Sequence, residues 1–391
     1  MDTPPVTVLT RLREVAVVRR DNHSDRILLG TMLALSAFGL LMIFSATRNS
    51  GTFSMERQMI FVAAGLIIYM LVSNIDYREY RAIVPTAAGV ILLALSAVFL
   101  FEPVNNVKRW IPLGFFNFQP AEFAKVVVIV VLAGLLAPGS RDTMDDGPRS
   151  LPWSKVGQAV LIVGIPGALI YMQPDLGTTL VFGFILVSML FVSGATWRQM
   201  VTLFGVGVAG MVSVFRFELL SEYQMNRLRV LFNQDIDPQG IGYQLAQSKS
   251  AIGSGQLFGK GLLQEGTLTA FEYVPEQEND FIFTAVGEQL GFIGGLLVIA
   301  AFAVIVWRLL VISANARDRF GALIAAGIAA MMMFHVMVNI GMTIGIMPVT
   351  GLPLPFLSQG GSFYMAMTLA LGIANSIWLL RTPVPGENQL T

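Results

Sequence analysis

The chain has 391 residues, of which 54% are apolar and only 13% charged; 25 Lys and Arg balance 25 Asp and Glu, and there is no cysteine. A soluble domain typically carries roughly a quarter charged residues, so this composition, with a mean hydropathy of +0.68, excludes a disordered chain, a nucleic-acid binder acting through bulk positive charge and an ordinary soluble enzyme. The lack of cysteine excludes disulfides and thiolate chemistry, and the two histidines, His23 and His335, are too few for a multi-histidine metal site.

The first 26 residues carry five arginines and precede an apolar run too long for a signal-peptide core, with no small-x-small cleavage site after it. That run is read as a retained span. A membrane helix needs about 20 mostly apolar residues, and ten runs are candidates: 27–46, 58–74, 82–101, 123–137, 156–172, 176–193, 199–217, 281–307, 320–347 and 363–380. The fourth is short and contains Lys125. The reading is an all-α integral membrane protein of about ten transmembrane helices. It has a tail at 1–26, one polytopic domain over 27–381 and a second tail at 382–391. With the N-terminus inside, fifteen of the 25 Lys and Arg fall on the inner side and five on short outer loops; the other five are Arg216 at the end of span seven and four in one long loop. The positive-inside rule then puts both termini in the cytoplasm. The Arg-rich first tail is read as a topology signal, ahead of contact with anionic lipid.

The long loop, 218–280, lies between spans seven and eight on the outer side. Its aromatic and aliphatic residues recur at roughly helical spacing in Tyr223–Phe232 and Tyr243–Ile252, which predicts short amphipathic helices at the interface.

Polar residues beside apolar spans mark where chemistry can sit, because ionisable groups at membrane depth are costly. Lys108-Arg109-Trp110 is followed by Gln119-Pro120-Ala121-Glu122-Phe123-Ala124-Lys125, and Glu122 and Lys125 share a helix face. The plain reading is a Trp anchor and a structural ion pair; the functional one is a cationic cluster, Arg109 with Lys125, for a phosphate group. In Gln173-Pro174-Asp175, the aspartate opens a span and reads first as an N-cap. Gly253-Ser254-Gly255-Gln256-Leu257-Phe258-Gly259-Lys260-Gly261 fails the P-loop pattern at 254 and 261 and has no preceding strand, so it is a Gly-rich turn with a cation and no nucleotide site is expected. Glu276, Glu278, Asp280 and Glu288 lie within thirteen residues at a membrane mouth and read together as the wall of a polar cavity. The segment 345–362, with Pro348, Pro353 and Pro355, cannot be one helix and is predicted to re-enter and face the same cavity. His335 and Asn339, four apart, read as a polar pair between helices. Physics alone leaves a transporter, a channel or an intramembrane enzyme open.

These segments resemble a known family. Arg109-Trp110-Ile111, Gln119-Pro120-Ala121-Glu122, Gln173-Pro174-Asp175-Leu176-Gly177-Thr178, Gly242-Tyr243-Gln244, Ala251-Ile252-Gly253, Gly259-Lys260-Gly261, Pro275-Glu276, Asp280-Phe281-Ile282-Phe283 and Pro353-Leu354-Pro355-Phe356 with Ser358 and Gly360-Gly361-Ser362 stand in order along nearly the whole chain. They are similar to the SEDS proteins, the RodA and FtsW group of peptidoglycan glycosyltransferases, with loop details closer to RodA, the elongation branch. The resemblance implies polymerisation of lipid II onto a nascent glycan strand at the outer face of the bacterial cytoplasmic membrane. Asp280 would be the general base and undecaprenyl diphosphate the leaving group. Arg109, Lys125 and Lys260 would steady the diphosphate, with Mg²⁺ or Mn²⁺ sharing that work near Glu276 or Glu122. Trp110 and the proline-rich loop with Ser358 would shape the cavity. The implied partners are membrane lipids and a class B penicillin-binding protein; nucleic acid is not among them. The alternative is a flippase for lipid-linked precursors. Glu278-Asn279 replace the common His-Thr, and Gln359 replaces the common Tyr. The extra acid is expected to raise the proton affinity of Asp280 or to add a cation ligand.

Overall fold

The computed structural model describes residues 23–49, 54–103, 107–137, 151–218, 220–271 and 273–381. Both predicted tails, apart from the last few residues of the first, and the loop holding Arg141 and Arg149 lie outside them. Ten helices fall on the ten predicted runs: α1 Arg26–Thr47, α2 Ser54–Ser73, α3 Tyr80–Ala97, α4 Pro120–Leu136, α5 Trp153–Met172, α6 Leu176–Val192, α7 Trp197–Arg216, α10 Ile282–Ala314, α11 Arg319–Thr343 and α12 Gly361–Leu379. Eight stretches are long and apolar enough to cross a membrane. The other two, α4 and α6, have 17 residues each, or about 25 Å of rise, near the lower limit for a span.

The helix starts follow from local chemistry. Asp25, Asp175 and Asp318 cap α1, α6 and α11 through their carboxylates, and Thr196 with Gln199 forms a capping box on α7. Pro120 sits in the first turn of α4, where its missing N–H costs nothing. The helices run alternately between two ends. At one end the start of α1 meets the ends of α10 and α12: Arg308 donates to Asp25 Oδ2 at 2.7 Å, and Asp25 N donates to Asn375 Oδ1 at 3.0 Å. Tyr77 donates to Asp318 at the same end. The opposite end carries the loops 101–119, 218–280 and 344–360. α11 and α12 form the centre, with 78% of each apolar window buried, whereas α7 is 6% buried and hangs at the rim.

Two irregular features shape the loop end. A two-stranded hairpin pairs β1 (Ile111–Pro112) with β2 (Asn117–Phe118), in register Ile111 to Phe118. It brings Arg109 and Trp110 beside Gln119 at the start of α4. The second feature is a break in α10 at Gly291, whose backbone is left-handed at φ 66°. Phe292 N and Ile293 N, freed by the break, donate instead to Gln256 O and Leu257 O at 2.8 and 3.2 Å. Lys260 N and Gly261 N donate to Glu288 O and Gln289 O. The Gly-rich turn is thus a splint for a broken helix. A Cβ at Gly255, Gly259 or Gly291 would overlap the opposing backbone, which accounts for the glycines.

Within the long loop the two predicted helices form, as α8 Glu222–Arg229 and α9 Ile241–Ser254. A small second core of Val230, Ile241, Leu245, Val274, Phe281, Met342 and Val349 fastens them to the ends of α10 and α11.

Candidate active site

A cavity of about 820 Å³ opens at the loop end, and Arg109, Trp110, Glu122, Arg227, Glu276 and Asp280 are among its walls. Five helices, α4, α6, α8, α10 and α12, begin beside it, so their N-terminal N–H groups and partial positive charge gather there. α12 has no acidic residue in its first turn, whereas Glu122 stands in the first turn of α4 and Asp175 caps α6.

Asp280 stands two residues before the start of α10, next to its N-cap Phe281. Its backbone carbonyl accepts a hydrogen bond from Asn339 Nδ2 at 2.8 Å, and the same amide donates to Leu352 O at 2.7 Å. One turn earlier on α11, His335 Nδ1 lies 3.3 Å from Pro353 O. A carbonyl can only accept, so Nδ1 carries the proton and Nε2 is left to accept from Lys125 Nζ at 3.0 Å. The pair is therefore more than a contact between helices. It ties successive residues of the proline-rich loop to the backbone of Asp280. That loop faces the cavity as expected: Gly351, Leu352, Pro353, Gln359 and Gly360 line it.

The Asp280 carboxyl is pushed up from 3.8 to about 6. Burial is the chief cause. The Arg227 guanidinium opposes it, Glu276 adds to it, Arg109 opposes it and Asp175 adds to it. The neighbouring acid that acts most on Asp280 is thus Glu276, and not the Glu278 singled out in the sequence. Asn279 holds Glu276 through a hydrogen bond of 2.6 Å. Gln359, the other departure from the family pattern, donates its backbone N–H to Glu278 O at 2.9 Å.

Arg109 is held by the turn it faces. Its Nε donates to Gln173 O at 3.0 Å, a terminal nitrogen donates to Pro174 O, and the other lies 3.8 Å from Asp175 Oδ2. Asp175 is both the N-cap read from the sequence and a partner of Arg109.

Three predicted site residues stand apart from the cavity walls. Lys125 is fully buried behind Glu122, 2.6 Å from its carboxylate, and faces the Phe363 ring and His335. Lys260 pairs with Glu288 at 2.8 Å. Glu288 also accepts from Leu268 N, Thr269 N and Thr269 Oγ1, so this acid closes a separate buried knot under the loop and is not part of the cavity wall. Ser358 is buried and its Oγ accepts from Leu354 N at 2.8 Å, which shapes the loop from within. Arg227 was not singled out in the sequence, although Tyr223 and Arg227 at i, i+4 on a short amphipathic helix are a readable stacking pair. Among the described residues no group of three His, Cys, Asp or Glu side chains is placed to hold a metal ion.

A carboxylate that titrates near neutrality, faced by fixed arginines and helix N-termini, can take a proton from a hydroxyl while an anion is held nearby.

Known proteins resemble the chain over nearly all of its length. The family described as "Cell cycle protein" (FtsW/RodA/SpoVE) matches residues 25–381. The peptidoglycan glycosyltransferase MrdB of Escherichia coli strain K12 is 37% identical over 91% of this chain and 93% of its own. The peptidoglycan glycosyltransferase RodA of Treponema pallidum is 32% identical over 92% of this chain and 98% of its own. Among solved structures, a chain from work on how a peptidoglycan synthase complex coordinates polymerisation and crosslinking superposes with a TM-score of 0.76 at 27% identity, covering 92% of this chain and 99% of that one. The rod shape determining protein RodA of Thermus thermophilus gives 0.65 at 25% identity, covering 92% and 98%.

Proposed function

The chain belongs to the FtsW/RodA/SpoVE family, and we propose that it polymerises lipid II into glycan strands with Asp280 as the general base. The observation that carries the assignment is the cavity itself: a carboxyl raised to about 6 stands in the same pocket as Arg109 and the acid-free start of α12. Asp280 takes the proton of the acceptor sugar hydroxyl. The freed oxygen attacks the anomeric carbon of the growing chain, undecaprenyl diphosphate leaves from the opposite face, and the configuration inverts. Arg109 offsets the charge that develops on the leaving diphosphate, as a fixed cation in a poorly solvated site does most effectively. Trp110 and the 351–360 loop bound the sugar site. A divalent cation arriving with the diphosphate would find Glu276 on the wall; one or two carboxylates with phosphate oxygens suffice for Mg²⁺.

The sidedness supports an extracytoplasmic reaction. The end opposite the cavity collects Arg26, Arg78, Arg81, Lys155, Arg308 and Arg381, as a cytoplasmic face does. We therefore assign the protein to the bacterial cytoplasmic membrane with both termini inside. The likeness to a chain of a peptidoglycan synthase complex supports a class B penicillin-binding protein as the crosslinking partner, and the likeness to a rod shape determining protein supports a role in elongation.

The test is strand formation from lipid II by purified protein in detergent, with and without the transpeptidase. Strands should form and vanish in Asp280→Ala. An Asp280→Ala protein that polymerises normally would overturn the base assignment, and transfer of lipid II across vesicles without strands would favour a flippase.

A further inference from the structure

Two of the three cations that the sequence offers for the diphosphate are already engaged elsewhere. Lys125 is fully buried between Glu122 and His335, and Lys260 belongs to the Glu288 knot. The basic side chains on the cavity wall are Arg109 and Arg227.

Arg227 reaches the cavity from α8. Ser221 and Gln224 cap that helix reciprocally, and Val230, just past its end, is completely buried in the second core beside Phe281 and Val349. The guanidinium is oriented by neutral groups. One terminal nitrogen donates to Thr350 O at 2.7 Å, the other donates to Tyr223 Oη, and the plane lies 4.6 Å from the Tyr223 ring centroid. Among the described residues no carboxylate lies within ion-pair distance of it, and its buried Nε has no hydrogen-bond partner. A fixed cation outside any ion pair, with a free donor, is primed for an anion. Gly351 sets how near that charge stands to Asp280. A Cβ built on Gly351 would lie 3.1 Å from Asp280 Oδ2 and 3.4 and 3.6 Å from the two terminal nitrogens of Arg227. Gly351 has φ +74° and no side chain, so the carboxylate and the guanidinium share one small space.

We propose that Arg227 is a second diphosphate-binding residue, gripping the leaving polyprenyl diphosphate beside the carbon under attack. The inference rests on Asp280 as the base. In an in-line displacement the incoming and departing oxygens lie on opposite faces of one carbon, so the diphosphate departs into the same cavity that holds the base, where the guanidinium of Arg227 with its unpartnered Nε can meet it. The acceptor oxygen forms the new bond to the anomeric carbon and its proton passes to Asp280. The carbon–oxygen bond to the diphosphate breaks with its electron pair on the diphosphate oxygen, where Arg227 offsets the new charge.

The experiment measures kcat and KM for lipid II in Arg227→Gln and Arg227→Lys, and inhibition by farnesyl diphosphate against farnesyl monophosphate. Losing one such donor typically costs about a hundredfold or more in kcat. Arg227→Gln should show that loss and should no longer prefer the diphosphate inhibitor, and Arg227→Lys should recover part of both. If Arg227→Gln does not fold, Arg227→Lys decides, weaker diphosphate inhibition supporting the assignment. A normal kcat, or reduced activity with diphosphate inhibition unchanged, overturns it, because a mere tether for α8 would leave that preference intact. Asp280→Ala, assayed alongside, tests the base independently: its activity reports on the base, and the inhibitor preference reports on Arg227.

Discussion

Acid should silence the reaction well above the range of an ordinary aspartate. With the Asp280 carboxyl at about 6, it is about nine-tenths ionised at pH 7 and about one-tenth ionised at pH 5. A general base works only when ionised, so kcat/KM for lipid II should fall about tenfold between those pH values. A carboxylate left at 3.8 would lose almost nothing over the same interval. The shift has a second handle. Glu276 pushes the carboxyl of Asp280 up, so Glu276→Gln should move the acid limb to lower pH. The assay is the initial rate of strand formation from lipid II across about pH 4.5 to 8, with protein integrity checked at each pH. A rate that stays flat down to about pH 5, or an acid limb that moves upward in Glu276→Gln, would refute the argument that burial and a neighbouring acid tune this group.

Gly351→Ala should cost about tenfold or more in kcat with little change in KM, since its methyl would stand 3.1 Å from Asp280 Oδ2 and the φ of +74° disfavours any side chain by roughly 1 kcal/mol; steady-state kinetics with a thermal unfolding control checks it. Asp280→Asn should be inactive yet more stable than the wild type by about 1–2 kcal/mol near neutrality, after allowance for solvent reaching the carboxyl. The sign follows from a folded pKa above the unfolded one: the native state prefers the protonated acid, so wild-type stability is full below about pH 4 and is lost as pH rises through about 6. The gap in apparent Tm should therefore close in acid. Lys260→Met should lower stability by about 1–3 kcal/mol, because the buried Glu288 carboxylate loses its charged partner but keeps its three other donors. KM for lipid II should not move; a large rise would return Lys260 to the substrate site.

Most of the helical scaffold is legible in the sequence because apolar runs of span length have few alternatives. All ten runs are helices, and the two loop helices follow from their spacing. What spacing cannot reveal is which side of a helix meets which partner. Lys125 and Glu122 share a face, and the sequence fits either a phosphate site or a closed pair; the packing of α11, which brings His335 to Lys125, closes the pair. Glu288 sits eight residues after Asp280 and reads as part of the same wall, but the break at Gly291 and its splint turn it toward Lys260 and Thr269. Arg227 is missed for the opposite reason: the one local sign that sets it apart from Arg229, Tyr223 four residues before it, marks a stacking pair and not a cavity wall. Only the long-range contact with Thr350, 123 residues away, selects it. Asn339 likewise gains its role from two carbonyls on separate segments.

The residues that pair the backbone groups freed at Gly291 precede α10 in the chain. In synthesis from the N-terminus, the splint is therefore complete before the helix that needs it emerges. Unpaired backbone groups are not tolerated in hydrocarbon, so neither half of α10 can settle at its final depth without that turn. α9, the glycine turn and α10 must then be acquired as one unit, and the position of Asp280 at the head of α10 is inherited from a segment already made. A chain divided after Gly261 would keep the splint whole for reassociation, whereas one divided within residues 255–261 would cut the splint itself in two.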